Sequence, residues 1–319
     1  MTNRKDLLIV TSSPHVHSAD NVPNAMRDVL IALCPALIVA LYFFRLPALL
    51  VILACVGSAW GAEYICLKAM KKETPSGENS AIVTGLLLAF CVPPSLPVWM
   101  AVVGSVFSIV IAKHLFGGLG QNIFNPALVG RAFLLASFPV AMTTWTNPLD
   151  GVTTASPLGI MKEAAGQALP SLEQLFVGTV GGSIGETSAL AILLGGIYLL
   201  YRKVIDWRTP GSFLGTVFVL TAIVGTIKGE GIWYPFFHLC AGGLLLGAFF
   251  MATDWVTSPV TKLGRVLFGI GCGLLVVLIR LKGGYPEGVA YSILLMNMVT
   301  PLIDRYTKAR IFGRVQSHA

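Results

Sequence analysis

At 319 residues the chain is long enough for one or two soluble domains, yet 55% of it is apolar and only 12% charged, with a mean hydropathy of +0.77. Soluble globular proteins carry about 25% charged residues, so a cytosolic enzyme, a disordered tail and a nucleic-acid binder are poor readings, and the composition is that of a polytopic membrane protein. The net charge of +7 is distributed between apolar runs, where Lys and Arg report membrane orientation rather than a nucleic-acid footprint.

The N-terminal stretch is polar, with Asp20, Asn21 and Asn24 ahead of a first long apolar run that begins near Val29; no cleavable signal peptide is expected. A hydrocarbon core about 30 Å thick asks for about 20 apolar residues per span, fewer where a helix is broken. By that measure ten segments are candidates: Val29 to Phe44, Leu46 to Leu67, Ser80 to Val92, Val98 to Ala112, Pro126 to Met142, Ala189 to Tyr201, Gly211 to Ile227, Phe236 to Met251, Gly264 to Ile279 and Gly288 to Ile303. If all ten cross, sixteen of the 22 Lys and Arg fall in alternate connections together with both termini, five fall in the others, and Arg131 lies inside a span. The excess predicts that both termini are cytoplasmic and that the longest connection, about Thr143 to Thr187, is extracytoplasmic.

Residues 114 to 128 (HLFGGLGQNIFNPAL) align without gaps on residues 280 to 294 (RLKGGYPEGVAYSIL), Gly117 and Gly118 meeting Gly283 and Gly284. With ten spans this predicts an all-α fold of two inverted five-helix repeats with broken helices. The expected organisation is a cytoplasmic segment 1–27, a first repeat 28–142, a loop 143–188, a second repeat 189–303 and a cytoplasmic tail 304–319. The six cysteines lie in or beside apolar segments with no C-x-x-C pair, so metal and disulfide chemistry within the chain alone is not expected.

Polar residues at membrane depth are functional candidates because burying them unpaired is costly. Asn122, Asn125 and Arg131 are of this kind. Asn125-Pro126 starts or breaks a helix and could leave amides free for an anionic or carbonyl-bearing group; alternatively Asn125 is a cap and Arg131 snorkels to the interface. Glu186 precedes a span and either caps it or serves a cofactor. Asp254 faces a cavity or begins a polar turn. His238, alone in an apolar run, is expected to be a hydrogen-bonded helix contact, and His15 and His17 solvated residues. The segment Asn147 to Gly159 (NPLDGVTTASPLG) is either an exposed turn of ordinary turn formers or an acidic residue followed by hydroxyls that present an acceptor for a transferred group.

That segment resembles the flavinylation motif of the RnfD membrane subunits of Rnf-type ion-translocating oxidoreductases and of their relative, the NqrB subunit of the sodium-pumping NADH:quinone oxidoreductase. Asp150 takes the motif's acidic position, Thr153 its first hydroxyl, Thr154 its small position, Ala155 its alanine and Ser156 its acceptor, where the family usually has Thr. SSPHVHS (12–18), GGLGQNIFNPALVGRAF (117–133), GGSIGETSALAILLGG (181–196), RKVIDWRTPGSFLGT (202–216) and FFMATDWVTSP (249–259) also resemble signatures of this family. The resemblance implies a bacterial or archaeal inner-membrane subunit carrying covalent FMN on Ser156, with Thr154, Thr153, Asp150, Asn125, Arg131 and Glu186 around the cofactor. It further implies a second, non-covalent flavin (riboflavin), a flavin transferase for maturation, and partnership with the Rnf subunits A, B, C, E and G, the last also flavinylated. The implied activity is electron transfer between ferredoxin and NAD⁺ coupled to Na⁺ or H⁺ translocation. Two other readings follow from the residues: a urea-channel-like channel or transporter, and a flavin-free scaffold subunit.

Overall fold

The computed structural model describes residues 21–71, 79–147, 152–163, 169–186 and 188–308. Asp150, His15, His17, the SSPHVHS segment and the two chain ends lie outside the described residues.

Helix α1 (Val22–Ala69) opens on Asn21, whose side chain accepts from the Asn24 amide at 2.9 Å, and has Pro in its first turn, where the missing N–H costs nothing. It is two apolar helices joined across a kink at Arg45 (φ 50°, ψ −128°). Pro47 explains the break, because it removes an amide donor and its ring crowds the preceding turn. The chain continues through α2 (Ser80–Phe90) and α3 (Val98–Ile109), which runs on as a π-helical turn, Val110–His114. Then come α4 (Pro126–Ser137), α5 (Pro139–Thr143), strands β1 (Trp145–Thr146) and β2 (Thr153–Thr154), α6 (Pro157–Glu163), α7 (Leu172–Val177) and a 3₁₀ turn, Ile184–Glu186. The second half holds α8 (Ala189–Tyr201), α9 (Arg208–Lys228), α10 (Trp233–Cys240), α11 (Leu244–Leu246) with a π-helical turn, Gly247–Met251, α12 (Lys262–Lys282) and α13 (Val289–Tyr306).

The expectation of ten spans in two inverted five-helix repeats is overturned. Among the described residues three helices, α1, α9 and α12, are long and apolar enough to cross a membrane, or four if α10 and the Leu244–Met251 helix, bent by 66°, count as one span. The helices Ser80–Phe90, Val98–His114, Pro126–Ser137 and Ala189–Tyr201 are apolar but shorter; at 1.5 Å per residue an 11-residue helix reaches about 17 Å, short of the hydrocarbon core. An apolar run and a membrane-length helix are therefore different things in this chain. The aligned Gly pairs also differ: Gly117 and Gly118 have φ of 122° and 107°, whereas Gly283 ends α12 at φ −73°. The 143–188 connection contains the antiparallel β1–β2 pair, Trp145 opposite Thr154 and Thr146 opposite Thr153.

Packing is that of a multi-pass membrane protein. Large apolar side chains such as Ile38, Tyr42, Leu53 and Ile227 face outward, while Glu63, Lys113, Arg131 and Arg280 are buried, the distribution lipid imposes. Small residues let helices approach where lipid supplies no hydrophobic drive between them. Ala32, Ala36, Ala40, Ala48, Cys55 and Ala59 form the buried stripe of α1, against which α2, α3 and α8 pack, and Ser105 donates across to the Cys55 carbonyl at 2.7 Å. One end of the bundle is held by polar ties. Arg202 and Tyr198 donate to Asp28 at 3.1 and 3.2 Å, and Arg208 and Arg265 both bind Asp206, at 2.9 and 2.8 Å. Partial burial works to raise the Asp206 carboxyl, but the Arg208 amide and the two guanidinium groups outweigh it and hold the group below the usual carboxylate range.

The α1–α8 crossing yields a stability prediction. A Cβ on Gly195 would stand 2.0 Å from the Ala32 carbonyl oxygen, a backbone atom that cannot step aside, so Gly195→Val should cost about 1–3 kcal/mol or more through overpacking. Gly215, exposed in α9 with nothing within 4 Å of such a Cβ, is the control, and Gly215→Ala should be neutral or raise stability by up to about 1 kcal/mol. Thermal unfolding of the two variants in detergent checks both; equal melting temperatures would refute the close-packed crossing.

Candidate functional site

The hydroxyl motif sits at the edge of a cleft. β2 ends at Thr154, and the chain turns into α6 through Ser156, whose Oγ accepts from the Gly159 amide at 3.1 Å as an N-cap does. Ser156 is buried, Thr153 is exposed and Thr154 is half-buried. The Thr154 hydroxyl is turned toward Gly181, 2.5 Å from where a Cβ on that glycine would lie. Ser156 lines a cleft of about 400 Å³ with Arg131, Trp145, Tyr285, Glu287 and Tyr291 among its walls, within the usual size range of ligand pockets. The rings of Tyr285 and Tyr291 are 5.7 Å apart at a 33° tilt. Lys162, on the helix that follows Ser156, donates to the Gly283 and Tyr285 carbonyls, the latter at 3.1 Å, and so ties the acceptor's helix to the opposite wall.

Arg131 does not snorkel. It is buried on α4 and bonds Glu287, in the loop between α12 and α13, while its Nη1 stands 4.0 Å from Glu186 Oε1. Glu186 does not cap α8 either; Ser188 does, accepting from the Ala191 amide. Burial first, and Glu287 beside it, push the Glu186 carboxyl well above the usual carboxylate range. Burial acts on Glu287 in the same sense, but Arg131 outweighs it and holds that carboxyl low.

Asn125 belongs to a second cavity, of about 410 Å³, with Lys113, Asn122 and Asp254 among mostly apolar walls. Its side chain accepts from the Ala127 and Leu128 amides, so those amides are not free for a ligand, and its Nδ2 donates to the Met251 carbonyl at 3.3 Å. Asp254 does both things expected of it: it lines this cavity and begins a turn, accepting from Val256 N and Thr257 Oγ1. Lys113 is buried against Glu63 and Ser80, donating to the latter at 2.7 Å. His238 is a helix contact through its ring, 4.6 Å from that of Tyr234, rather than through a side-chain hydrogen bond.

The structure thus brings Ser156, Arg131 and Glu186 together and leaves Asn125 in a separate cavity. It adds Glu287 and Arg280, which the sequence did not single out. Arg280, expected in a loop, is buried in α12 and donates to the His238 and Ala241 carbonyls at 2.6 and 3.0 Å. The available signal was scarcity: in a chain only 12% charged, an acidic residue in a short connection between apolar runs is as unusual as an arginine inside one. Among the described residues no group of three or more His, Cys, Asp and Glu could hold a metal ion.

The chain matches the NQR2, RnfD, RnfE family over residues 9–313. It belongs to that family. It is 51% identical over 310 residues to the D subunit of the Na(+)-translocating ferredoxin:NAD(+) oxidoreductase complex of Acetobacterium woodii, covering 96% of this chain and 95% of the relative. It is 48% identical over 322 residues to the D subunit of the proton-translocating ferredoxin:NAD(+) oxidoreductase complex of Clostridium ljungdahlii, covering 97% of each. The D subunit of an ion-translocating oxidoreductase complex of Citrobacter koseri is 39% identical over 344 residues, with 95% and 98% covered. The resemblance drawn from the motifs is thereby established as family membership.

The Arg131–Glu287 pair carries the next prediction. Glu287→Leu leaves a buried guanidinium without its partner and should destabilise the fold by about 3–5 kcal/mol, whereas adding Arg131→Met, which removes the second charge too, should recover most of the loss. A double-mutant cycle on thermal stability in detergent measures the coupling; additive losses would mean the pair does not hold the α4 side of the cleft to the 283–288 loop.

Proposed function

We propose that this chain is a membrane subunit of an Rnf-type redox complex and that Ser156 bears FMN through a phosphoester. The observation that carries the second part is the placement of the motif's hydroxyls: Ser156 lines the 400 Å³ cleft, while Thr153 is exposed and Thr154 is turned to Gly181. The residues present fit the group. The Arg131 guanidinium offers charge complementarity to a phosphate, and Tyr285 and Tyr291 offer ring faces beside which a flat heterocycle packs. When bound, a flavin supplies electron exchange in one- or two-electron steps, and the protein's part is placement, hydrogen bonding and shielding.

The chain's own residues account for that placement. The Gly159 amide orients the Ser156 oxygen, Lys162 holds the 283–288 loop against the acceptor's helix, and the α6–α7 segment packs its apolar side, Leu158 and Leu175, on Phe237 and Ala241 of the bent helix pair. The second cavity, lined by Asn122, Asn125, Phe249 and Phe250 among others, is our candidate for a non-covalent flavin such as riboflavin; amide side chains among aromatic and aliphatic walls suit a neutral heterocycle.

Segment 143–188 holds one Lys and no Arg, whereas Arg202, Lys203, Arg208, Lys262, Arg265 and the C-terminal basic residues lie elsewhere; this supports an extracytoplasmic Ser156 and cytoplasmic termini. Electrons from soluble donors then have to cross the membrane through the other Rnf subunits, A, B, C, E and the flavinylated G, since among the described residues here no cysteine cluster could hold an iron–sulfur centre. The relatives' names divide between Na⁺ and proton translocation at nearly equal identity, so the proposed function is ferredoxin:NAD⁺ electron transfer coupled to either ion.

The test is co-expression with a flavin transferase, ultraviolet fluorescence on a denaturing gel and peptide mass mapping. FMN should be found on Ser156, be lost in Ser156→Ala and persist in Ser156→Thr. An adduct on Thr154, or none, overturns the assignment.

A further inference from the structure

Glu186 and Glu287 are not needed to present a hydroxyl acceptor, yet they meet behind it. The 3₁₀ turn Ile184–Glu186, the 283–288 loop and the Gly242–Gly243 break between α10 and α11 converge there. A Cβ on Gly243 would lie 2.7 Å from Glu186 Oε1, and one on Gly242 3.5 Å from Glu287 Oε1. Glu186 is 9% exposed, and as carboxylates neither Glu186 Oε1 nor Glu287 Oε1 has a donor. Both carboxyl groups flank the Arg131 guanidinium and line one small void. A void of about 10 Å³ bounded by Ser156, Glu186, Gly242 and Glu287, the least that one water needs, connects the pair to the acceptor.

The surrounding cations do not hydrogen-bond both acids. Arg131 bonds Glu287 and stops 4.0 Å short of Glu186. Arg280 directs Nη1 and Nη2 to the carbonyls of α10 and acts on the acids only through space. Lys162 is committed to carbonyls of the 283–288 loop. The remaining titratable or polar side chains that face the pair, Cys91, Ser183, Cys240 and Tyr291, bring no charge as thiols, hydroxyl and phenol. Two acids that share a buried site resist ionising together, so the second gives up its proton only at raised pH. With one proton between them the cluster of Arg131, Arg280, Glu186 and Glu287 has a net charge of +1, and without it the charge is zero.

We propose that Glu186 and Glu287 form a proton-holding pair that makes the Ser156 cleft a proton-linked anion site, so that a phosphate-bearing group entering the cleft is bound together with one proton on the pair. The inference rests on the flavin reading only for the identity of the anion. The linkage has a definite sign. Because the Glu186 carboxyl is lifted by burial and by Glu287, the proton is present at low pH and lost as pH rises through the lifted value, and anion affinity should fall about tenfold per pH unit beyond it.

The test uses the full chain made without flavin transferase and carrying Ser156→Ala, in detergent, with free FMN as probe and riboflavin as its phosphate-free counterpart. FMN affinity is read by fluorescence between pH 8 and 9, well above the phosphate's second pKa of about 6, and proton uptake by an indicator dye in weak buffer. The expected result is one proton taken up per FMN on the alkaline side and a falling affinity, with riboflavin flat. Adding Glu186→Gln, whose amide mimics the protonated acid, should abolish the uptake and keep FMN binding tight at pH 9. Should that variant not fold, infrared spectroscopy of the unsubstituted chain serves instead, and a neutral carboxylic-acid band at pH 7 that vanishes at alkaline pH is expected. No FMN binding, binding without proton uptake, equal behaviour of FMN and riboflavin, uptake unchanged in Glu186→Gln, or absence of the carboxylic-acid band would each overturn the proposal. Failure of covalent attachment is read separately, by mass mapping of the co-expressed chain with Ser156 intact.

Discussion

The pairing of Arg131 with Glu287 is the constraint around which one side of the molecule is arranged. A guanidinium on a short apolar helix has no water to return to, so it must find an acid inside the protein. The acid comes from the loop between α12 and α13, 156 residues further along the chain. That single requirement brings the 283–288 loop to α4, and with the loop come Tyr285 and the Lys162 tie to α6. The walls of the Ser156 cleft are thus assembled from segments that no local signal connects.

A different device shapes the second cavity. The π-helical turns Val110–His114 and Gly247–Met251 each insert an extra residue into a helical ladder, a feature frequent at functional sites. One places Lys113 against Glu63 and Ser80, facing the cavity; the other places the Met251 carbonyl where Asn125 donates to it. Asn125 therefore joins the start of α4 to the end of the bent helix pair, while Arg131, less than two turns further along α4, faces the Ser156 cleft. One short helix and its cap thus place a polar residue in each cavity.

How much of this was legible in the sequence depends on the range of the interaction. Starts set by local chemistry were: α2 at Ser80, α3 at Val98, α4 at Pro126 after its Asn125 cap, and α8 at Ala189. The hydroxyl motif also identified the segment that lines the cleft. The span count was not legible, because hydropathy reports that a segment is apolar and not whether Pro, Gly or a π-turn ends its helix short of membrane length. The break at Arg45 was legible: the segments Val29 to Phe44 and Leu46 to Leu67 were separated there, and the structure kinks α1 at that residue. The partners of Arg131 were illegible for another reason: Glu287 and Glu186 are remote from it in sequence, and spacing carries no information about a contact made by tertiary packing. Arg280 was misread because a basic residue at a helix end ordinarily faces the headgroups, and only the α10 break turns this one inward.

That break explains why so many charges collect at one place. Between α10 and α11 the chain leaves the helix, with Gly242 at φ 72°, and the carbonyls at the end of α10 lose their intrahelical donors. In lipid they have to be satisfied from within the protein. Arg280 does this for His238 and Ala241, which puts a buried cation among the apolar residues of α12. A buried cation in turn favours nearby acids, and Glu287 and then Glu186 lie close enough to act on it. With Arg131 on the far side, the two acids are shared between two guanidinium groups rather than paired one to one. Substituting the Gly242–Gly243 break by a continuous helix would remove the reason for Arg280, and with it the balance that leaves one of the two acids without a hydrogen-bonded cation of its own.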